Sequence, residues 1–285
     1  MSNQQKVWFI TGASSGFGRA YAEYALEQGH NVVAAARTAS KLAEIVKLNP
    51  ERVLAVTMDV NNASQVQNAV KETLNRFGRI DVLINNAGYG IVGAFEETPE
   101  TELRAQMETN FFGAVAVTRA FLPTMREQRS GAIVNISSLG GQLSFGGFSA
   151  YSASKFALEG MSEALAQEVQ PFGIKVLIVE PGAFRTDFAG SALKHMPVMD
   201  AYKEIVGETR SFAHGMNNTQ EGDPRKAAQA VERALNDGGR SPPVAREPAV
   251  VSPGQVFKSP GMVQECGLRV GRNAKRSVAA WLLGQ

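Results

Sequence analysis

Tyr151 and Lys155 stand four residues apart in SAYSASKFALEGMSEAL. Four residues is about one helical turn, so on a helix both side chains leave the same face. A phenol titrates near 10 and is a weak acid–base catalyst at neutral pH. An ammonium beside it stabilises the phenolate, which predicts a lowered pKa for Tyr151. Each tenfold gain in acidity corresponds to about 1.4 kcal/mol, so a thousandfold gain asks about 4 kcal/mol of the surroundings. A partly desolvated cation together with a cofactor charge is on that scale. The same spacing arises by chance on many helices, so the rest of the chain has to decide what the pair does.

A second chemical feature lies far upstream. Thr11-Gly12-Ala13-Ser14-Ser15-Gly16-Phe17-Gly18 follows the first apolar run, VWFI, and precedes a helical pattern from about Ser15 to Gln28. Glycines allow a tight turn and let a pyrophosphate approach main-chain N–H groups, while the next helix aims its partly positive end at the anion. The spacing is GxxxGxG and not the commoner GxGxxG. A plain tight loop is the alternative, and the placement between strand and helix favours the cradle. Gly12, Ser14, Ser15, Gly16, Phe17 and Gly18 are therefore cofactor-binding candidates. Where an NAD site offers a carboxylate at the end of the second strand, this chain has Ala36 followed by Arg37. A guanidinium there welcomes a 2′-phosphate, so NADP(H) is the expected cofactor. An ordinary surface arginine is the competing reading of Arg37.

The elements that must position these groups are legible in outline. Apolar runs VWFI, VVAAA, RVLAVTM, IDVLIN, AIVNIS and IKVLIVE alternate with helical stretches at about Ser15–Gln28, Lys41–Leu48, Ala63–Phe77 and Pro99–Arg126 and around Tyr151. Continuous β-branched strands separated by helices predict an α/β fold: a doubly wound, mostly parallel sheet covered on both faces, three layers in one domain. Residues 1–236 form that domain in this reading. Residues 237–285 form a Pro- and Gly-rich tail of uncertain structure, read either as holding an edge strand around Ala249–Val251 or as largely irregular.

Composition narrows the classes of function. The chain has 285 residues, 44% hydrophobic and 20% charged, with a net charge of +2. That balance gives no nucleic-acid footprint. The lone Cys266 and three scattered histidines argue against a disulfide framework or a metal site. No apolar stretch reaches the ~18 residues of a membrane span, and the start lacks a secretory pattern. A soluble cytoplasmic protein without membrane or nucleic-acid partners is the expectation.

Taken together, TGASSGFG, Asp59-Val60, Asn85-Asn86-Ala87-Gly88, Asn110, Ser138, Tyr151, Lys155, Pro181-Gly182 and Thr186 resemble the compact, single-domain branch of the short-chain dehydrogenase/reductases. The resemblance covers about residues 5–235. Within the family the chain looks closest to bacterial members labelled 17β-hydroxysteroid-dehydrogenase-like or retinol-dehydrogenase-like. It implies a Rossmann fold and a catalytic tetrad of Asn110, Ser138, Tyr151 and Lys155. It also implies adenine contact at Asp59 with Val60 beside it, ribose contact along Asn86, Ala87 and Gly88, and nicotinamide contact through Pro181, Gly182 and Thr186. In this reading Tyr151 is the general acid or base, Lys155 tunes it, Ser138 holds the substrate oxygen, and Asn110 anchors a water. A homodimer or homotetramer is implied as well.

The segment about 183–215 follows a strand end where doubly wound folds bind ligands, and is read as the substrate lid. Phe184, Phe188, Met196 and Met199 from it, with Tyr89, Phe95, Leu143, Phe145 and Phe148, predict a hydrophobic carbonyl or alcohol substrate. His195 is read as lid surface. The leading expectation is an NADPH-dependent carbonyl reductase. A cofactor-binding regulator of the same fold is the alternative, and a sugar-nucleotide epimerase or dehydratase is a third that lacks room for its larger substrate domain.

Overall fold

The first strands are built mainly of apolar residues because the sheet is covered on both sides. The computed structural model describes residues 5–217, 219–236 and the backbone of 268–269. In chain order the elements begin β1 Val7–Thr11, α1 Gly16–Glu27, β2 Asn31–Ala36, α2 Ala43–Leu48, β3 Val53–Thr57, α3 Ala63–Phe77, β4 Val82–Asn85 and β5 Gly90–Val92. They continue α4 Glu100–Met107, α5 Gly113–Gln128, β6 Gly131–Ile136, α6 Ser149–Val169, β7 Ile174–Val179, β8 Leu193–His195, α7 Lys203–Gly215, α8 Pro224–Asn236 and β9 Leu268–Arg269.

The main sheet has the order β3-β2-β1-β4-β6-β7-β9. Its first six strands are parallel, and β9 pairs antiparallel to β7. The chain therefore winds outward from β1 in one direction, then returns and winds outward from β4 in the other. The crevice where the order reverses is where such sheets bind ligands.

Alternation along the strands divides the core into two. Trp8, Ile10, Val32, Ala34 and Ile84 face α1, α2 and α8. Phe9, Val33, Ala35, Leu83 and Ile133 face α3, α5 and α6. Side chains alternate at period two, so a continuous apolar strand feeds both layers at once. A buried polar chain runs across β4 and β6 on the second of these faces: the Asn85 amide donates to Thr118 and Asn135, and Asn135 donates to Ser162 at 2.7 Å. Asn85 and Asn135 are register partners in β4 and β6.

Two elements differ from the sequence expectation. The single helix expected over Pro99–Arg126 is two helices joined by a π-helical segment, Glu108–Phe112. Asn110 lies at its centre, and its amide bonds the main chain of Tyr89 at both ends: Nδ2 donates to the Tyr89 carbonyl at 2.9 Å and Oδ1 accepts from the Tyr89 N–H at 3.1 Å. A π turn inserts an extra residue into the helix, and such bulges favour functional positions. The stretch expected to be helical over Lys41–Leu48 begins as a 3-10 turn, Ala39–Leu42, before α2. A small parallel pair, β5 with β8, was not anticipated; each strand has only three residues, too few to show a period. The edge strand expected at Ala249–Val251 falls outside the described residues.

Candidate active site

The crevice at the strand reversal opens into a cleft of about 2090 Å³. One end is formed by the glycine turn. Gly12 and Gly16 have φ of 65° and 52°, a region that L side chains rarely adopt. Ser14, Ser15, Gly16 and Phe17 line the cleft. Ser15 begins α1, and its hydroxyl accepts no hydrogen bond from the helix. The first-turn N–H groups of α1 are then donors that an anion could use. Gly18 does not line the cleft. A Cβ there would collide with the Gly12 carbonyl oxygen, so Gly18 lets α1 pack under the turn.

The Asn86–Gly88 run is bolted to this turn. Thr11 Oγ1 accepts from the N–H groups of Asn86 and Ala87, both at 2.9 Å. The Asn86 amide in turn donates to the carbonyls of Thr11 and Gly12. Thr186 packs against the same turn: a Cβ on Gly16 would lie 3.3 Å from its Cβ. Arg37, Asp59 and Val60 line the cleft as well, and so does Lys41. Lys41 was not singled out from the sequence. It follows Arg37 by four residues, and its 3-10 turn brings it to the same wall.

The proposed catalytic groups converge on the same cleft. Tyr151 and Lys155 are both buried on α6. The Ser138 hydroxyl hydrogen-bonds the Tyr151 phenol, and accepts the N–H of Gly140 at 3.1 Å. Leu139 N–H donates to Pro181, which ties the Ser138 turn to the Pro181-Gly182 segment. Asn110 lies behind the cleft wall, where Nδ2 also donates to Ser154 at 3.0 Å. A Cβ on Gly88 would lie 3.0 Å from Asn110 Oδ1 and 3.7 Å from Lys155 Nζ, so Asn110 and Lys155 flank one small gap. Tyr151, Lys155, Ser138, Gly12, Gly88, Pro181, Gly182 and Thr186 all line the cleft itself.

One electrostatic expectation is overturned. Lys155 does not pull the Tyr151 phenol down. Burial pushes Tyr151 up to about 12, against the opposing effect of the Ser138 hydrogen bond. Lys155 Nζ sits 5.8 Å from the centre of the Tyr151 ring and donates to the Ile136 carbonyl at 2.8 Å. Burial lowers Lys155 itself to about 8, with the charge of Glu159 acting the other way. Desolvation is the larger cause of both shifts.

The substrate side is apolar. Tyr89, Leu143, Phe145, Phe148, Phe184 and Phe188 line the cleft as expected. Phe95, Met196 and Met199 do not. Met196 packs beneath Gly93, Phe95 is 77% exposed on an outward turn, and the Met199 N–H is held by the Glu97 carboxylate at 2.8 Å. Glu97 also binds Arg210 of α7 at 2.6 Å, an ion pair fixing the segment 183–215 to the β5 side. His195 lines the cleft, where partial desolvation, then the charges of Arg210 and His214, hold its pKa below the usual histidine value. Among the described residues no group of His, Cys, Asp and Glu could hold a metal ion. No helix among them is long and apolar enough to cross a membrane.

The family profile described as short chain dehydrogenase matches residues 6–197. Oxidoreductase BOA17 of Botryotinia fuckeliana is 44% identical over 240 residues, covering 84% of this chain and 87% of that protein. A 3-ketodihydrosphingosine reductase of Bacteroides thetaiotaomicron is 50% identical over 210 residues, 74% of this chain and 72% of that one. A crystal structure of a short-chain dehydrogenase from Streptomyces avermitilis is 54% identical, with a TM-score of 0.78 over 83% of this chain and 86% of that chain. A Burkholderia phymatum relative in complex with NAD is 26% identical, with a TM-score of 0.74 over 83% of this chain and 88% of its own. A metagenomic one in complex with NADP is 32% identical, with a TM-score of 0.59 over 63% of this chain and 83% of its own. The glycine turn under a reversal of strand order, the tyrosine–lysine turn facing it and the matched profile give one answer: this chain is an oxidoreductase belonging to the short-chain dehydrogenase/reductase family.

Proposed function

We propose that the protein is an NADPH-dependent carbonyl reductase acting on hydrophobic ketones or aldehydes, reversible toward the secondary or primary alcohol. One observation carries the reading. The Tyr151 phenol is buried with Ser138 on its oxygen, in the same cleft that the glycine turn, Arg37 and Lys41 line. Bound NADPH would supply the hydride. Gly12, Ser14, Ser15, Gly16 and Phe17 would hold its pyrophosphate. Arg37 with Lys41 would take the 2′-phosphate, and Asp59 with Val60 the adenine. Asn86, Ala87, Gly88 and Lys155 would hold the central and nicotinamide riboses, with Pro181, Gly182 and Thr186 toward the nicotinamide.

Tyr151 then gives its proton to the substrate oxygen as negative charge builds there. Ser138 orients that oxygen and donates to it. Lys155 returns the proton to the phenol side, fed by a water that Asn110 would anchor beside the gap at Gly88. The segment 183–215, held by Glu97 and Arg210, acts as the lid that keeps water from the apolar side. NADPH absorbance followed with a panel of ketones and aldehydes tests the reading, and no cofactor-dependent turnover of any of them would sink it.

The pH dependence follows from the two buried groups. Reduction needs Tyr151 protonated, which holds up to about pH 12, and Lys155 charged, which holds up to about pH 8. The kcat/KM for ketone reduction is therefore expected to be level through neutrality and to fall as pH rises past about 8. Lys155→Met should remove that limb together with most activity. A profile still level at pH 10 in the wild type would contradict the role of Lys155.

Self-association completes the proposal. Phe112 and Phe156 are half-exposed on neighbouring helical elements, an apolar area suited to a second copy of the chain. Light scattering is expected to show a dimer or tetramer, and a monomer at micromolar concentration would refute this part.

A further inference from the structure

We infer that Glu159 is a positioning residue of the reductase site: its carboxylate keeps Lys155 charged and braces the turn that begins at Ser138. This rests on the reductase reading above and deepens it. Tyr151, Lys155 and Glu159 follow one another at intervals of four along α6, so they form a row on one helix face. All three are buried, with Glu159 only 6% exposed.

The row docks turn by turn on the segment that leaves β6. Ser138 hydrogen-bonds the Tyr151 phenol, and a Cβ on Gly140 would lie 3.0 Å from Tyr151 Cε1. Lys155 Nζ donates to the Ile136 carbonyl at 2.8 Å. Glu159 meets the last residue of the 3-10 turn Leu139–Gly141. A Cβ on Gly141 would lie 2.9 Å from Glu159 Oε1, 3.0 Å from its Cγ and 2.5 Å from Ser137 Oγ. The carboxylate and the Ser137 hydroxyl therefore occupy the space of a side chain at Gly141. The turn cannot sink toward α6 without displacing Glu159, and Ser138 keeps its place beside the phenol through the same contact.

A buried carboxylate is costly unless an interaction offsets its lost hydration. Packing under Gly141 asks only for a side chain of this size. What Glu159 adds is a negative charge one turn from a buried ammonium. Burial favours the neutral amine, whereas an opposite charge favours the ionised one. The other elements packed on α6 bring little charge to Lys155. The π-helical segment presents the neutral Asn110 across the gap at Gly88, and its Glu108 is exposed. On α4, Glu100 pairs with Arg104, and Glu102 pairs with Lys194. On β7, Lys175 donates to the Leu235 carbonyl. Glu180, a second buried carboxylate, follows β7 and is not among the groups that act on Lys155. Glu159 is the charge that opposes the desolvation of Lys155.

The pH profile of ketone reduction by the full-length protein with NADPH decides the matter. Glu159→Gln keeps the size and removes the charge. Lys155 then falls further below its wild-type value of about 8, so the limb of kcat/KM is expected to move about one pH unit toward acid. Turnover should be within about twofold of wild type at pH 6 and about tenfold lower at pH 9. Glu159→Asp keeps the charge and should bring the limb back toward its wild-type position. Glu159→Met is the neutral variant to use if Glu159→Gln does not fold. An unmoved limb in the neutral variant, even with a uniformly lower kcat, would overturn the inference and leave Glu159 a packing residue. Failure of both neutral variants to fold would overturn it too. The reductase reading survives either result, and falls only if the wild type reduces no ketone or aldehyde.

Discussion

Tyr151→Phe is expected to lower kcat by about 10³-fold, within the range of roughly 10²–10⁴ that a positioned acid contributes. The substitution removes one oxygen and keeps the ring that packs between Phe148 and Phe188. It also deletes a buried hydroxyl whose partner, Ser138, retains the Gly140 N–H. Folding should therefore survive, and NADPH affinity, read by fluorescence titration, should stay close to wild type. Lost turnover with retained cofactor binding separates proton transfer from positioning. A mutant with near wild-type kcat would end the assignment of Tyr151. The buried phenol, held up near 12, gives a second signature. Alcohol oxidation needs the ionised form, so its rate should climb with pH over the range where ketone reduction declines.

The second large effect concerns the cofactor. Ala36→Asp combined with Arg37→Ser should lower the ratio of kcat/KM with NADPH to that with NADH by about 10²-fold. A charge-assisted hydrogen bond is worth about 1.5–3 kcal/mol, and the new carboxylate adds repulsion toward a 2′-phosphate. Arg37 is exposed, so salt should weaken the wild-type preference. Lys41 shares the wall, and Lys41→Ala should produce a smaller change in the same direction. Solved relatives contain NAD in one case and NADP in another, so the family by itself does not decide the matter. An unchanged ratio in the double variant would show that Arg37 is only surface.

Much of this was legible in the chain because its physics is local. The inner strands announce themselves as apolar runs, since both sheet faces are covered there, whereas β3 and β7 keep exposed residues at Thr57 and Lys175. The glycine turn is visible because only glycine accepts the left-handed backbone at Gly12 and Gly16. Tyr151 and Lys155 share a face because helical spacing requires it.

What needed the tertiary structure is whatever depends on distance across the chain. The break at Glu108–Phe112 exists because Asn110 finds the Tyr89 main chain, a partner 21 residues away. Lys41 and Gly18 could not be sorted by sequence into cleft wall and packing contact, because that depends on which side of the turn α1 and the 3-10 segment lie. Phe95, Met196 and Met199 looked like pocket residues by composition alone, and the Glu97–Arg210 pair turns that segment so that they face elsewhere. The acidity of Tyr151 was misjudged for the same reason. Helical spacing placed a cation nearby, whereas the value is decided by how completely both groups are withdrawn from water, and only the packed fold sets that.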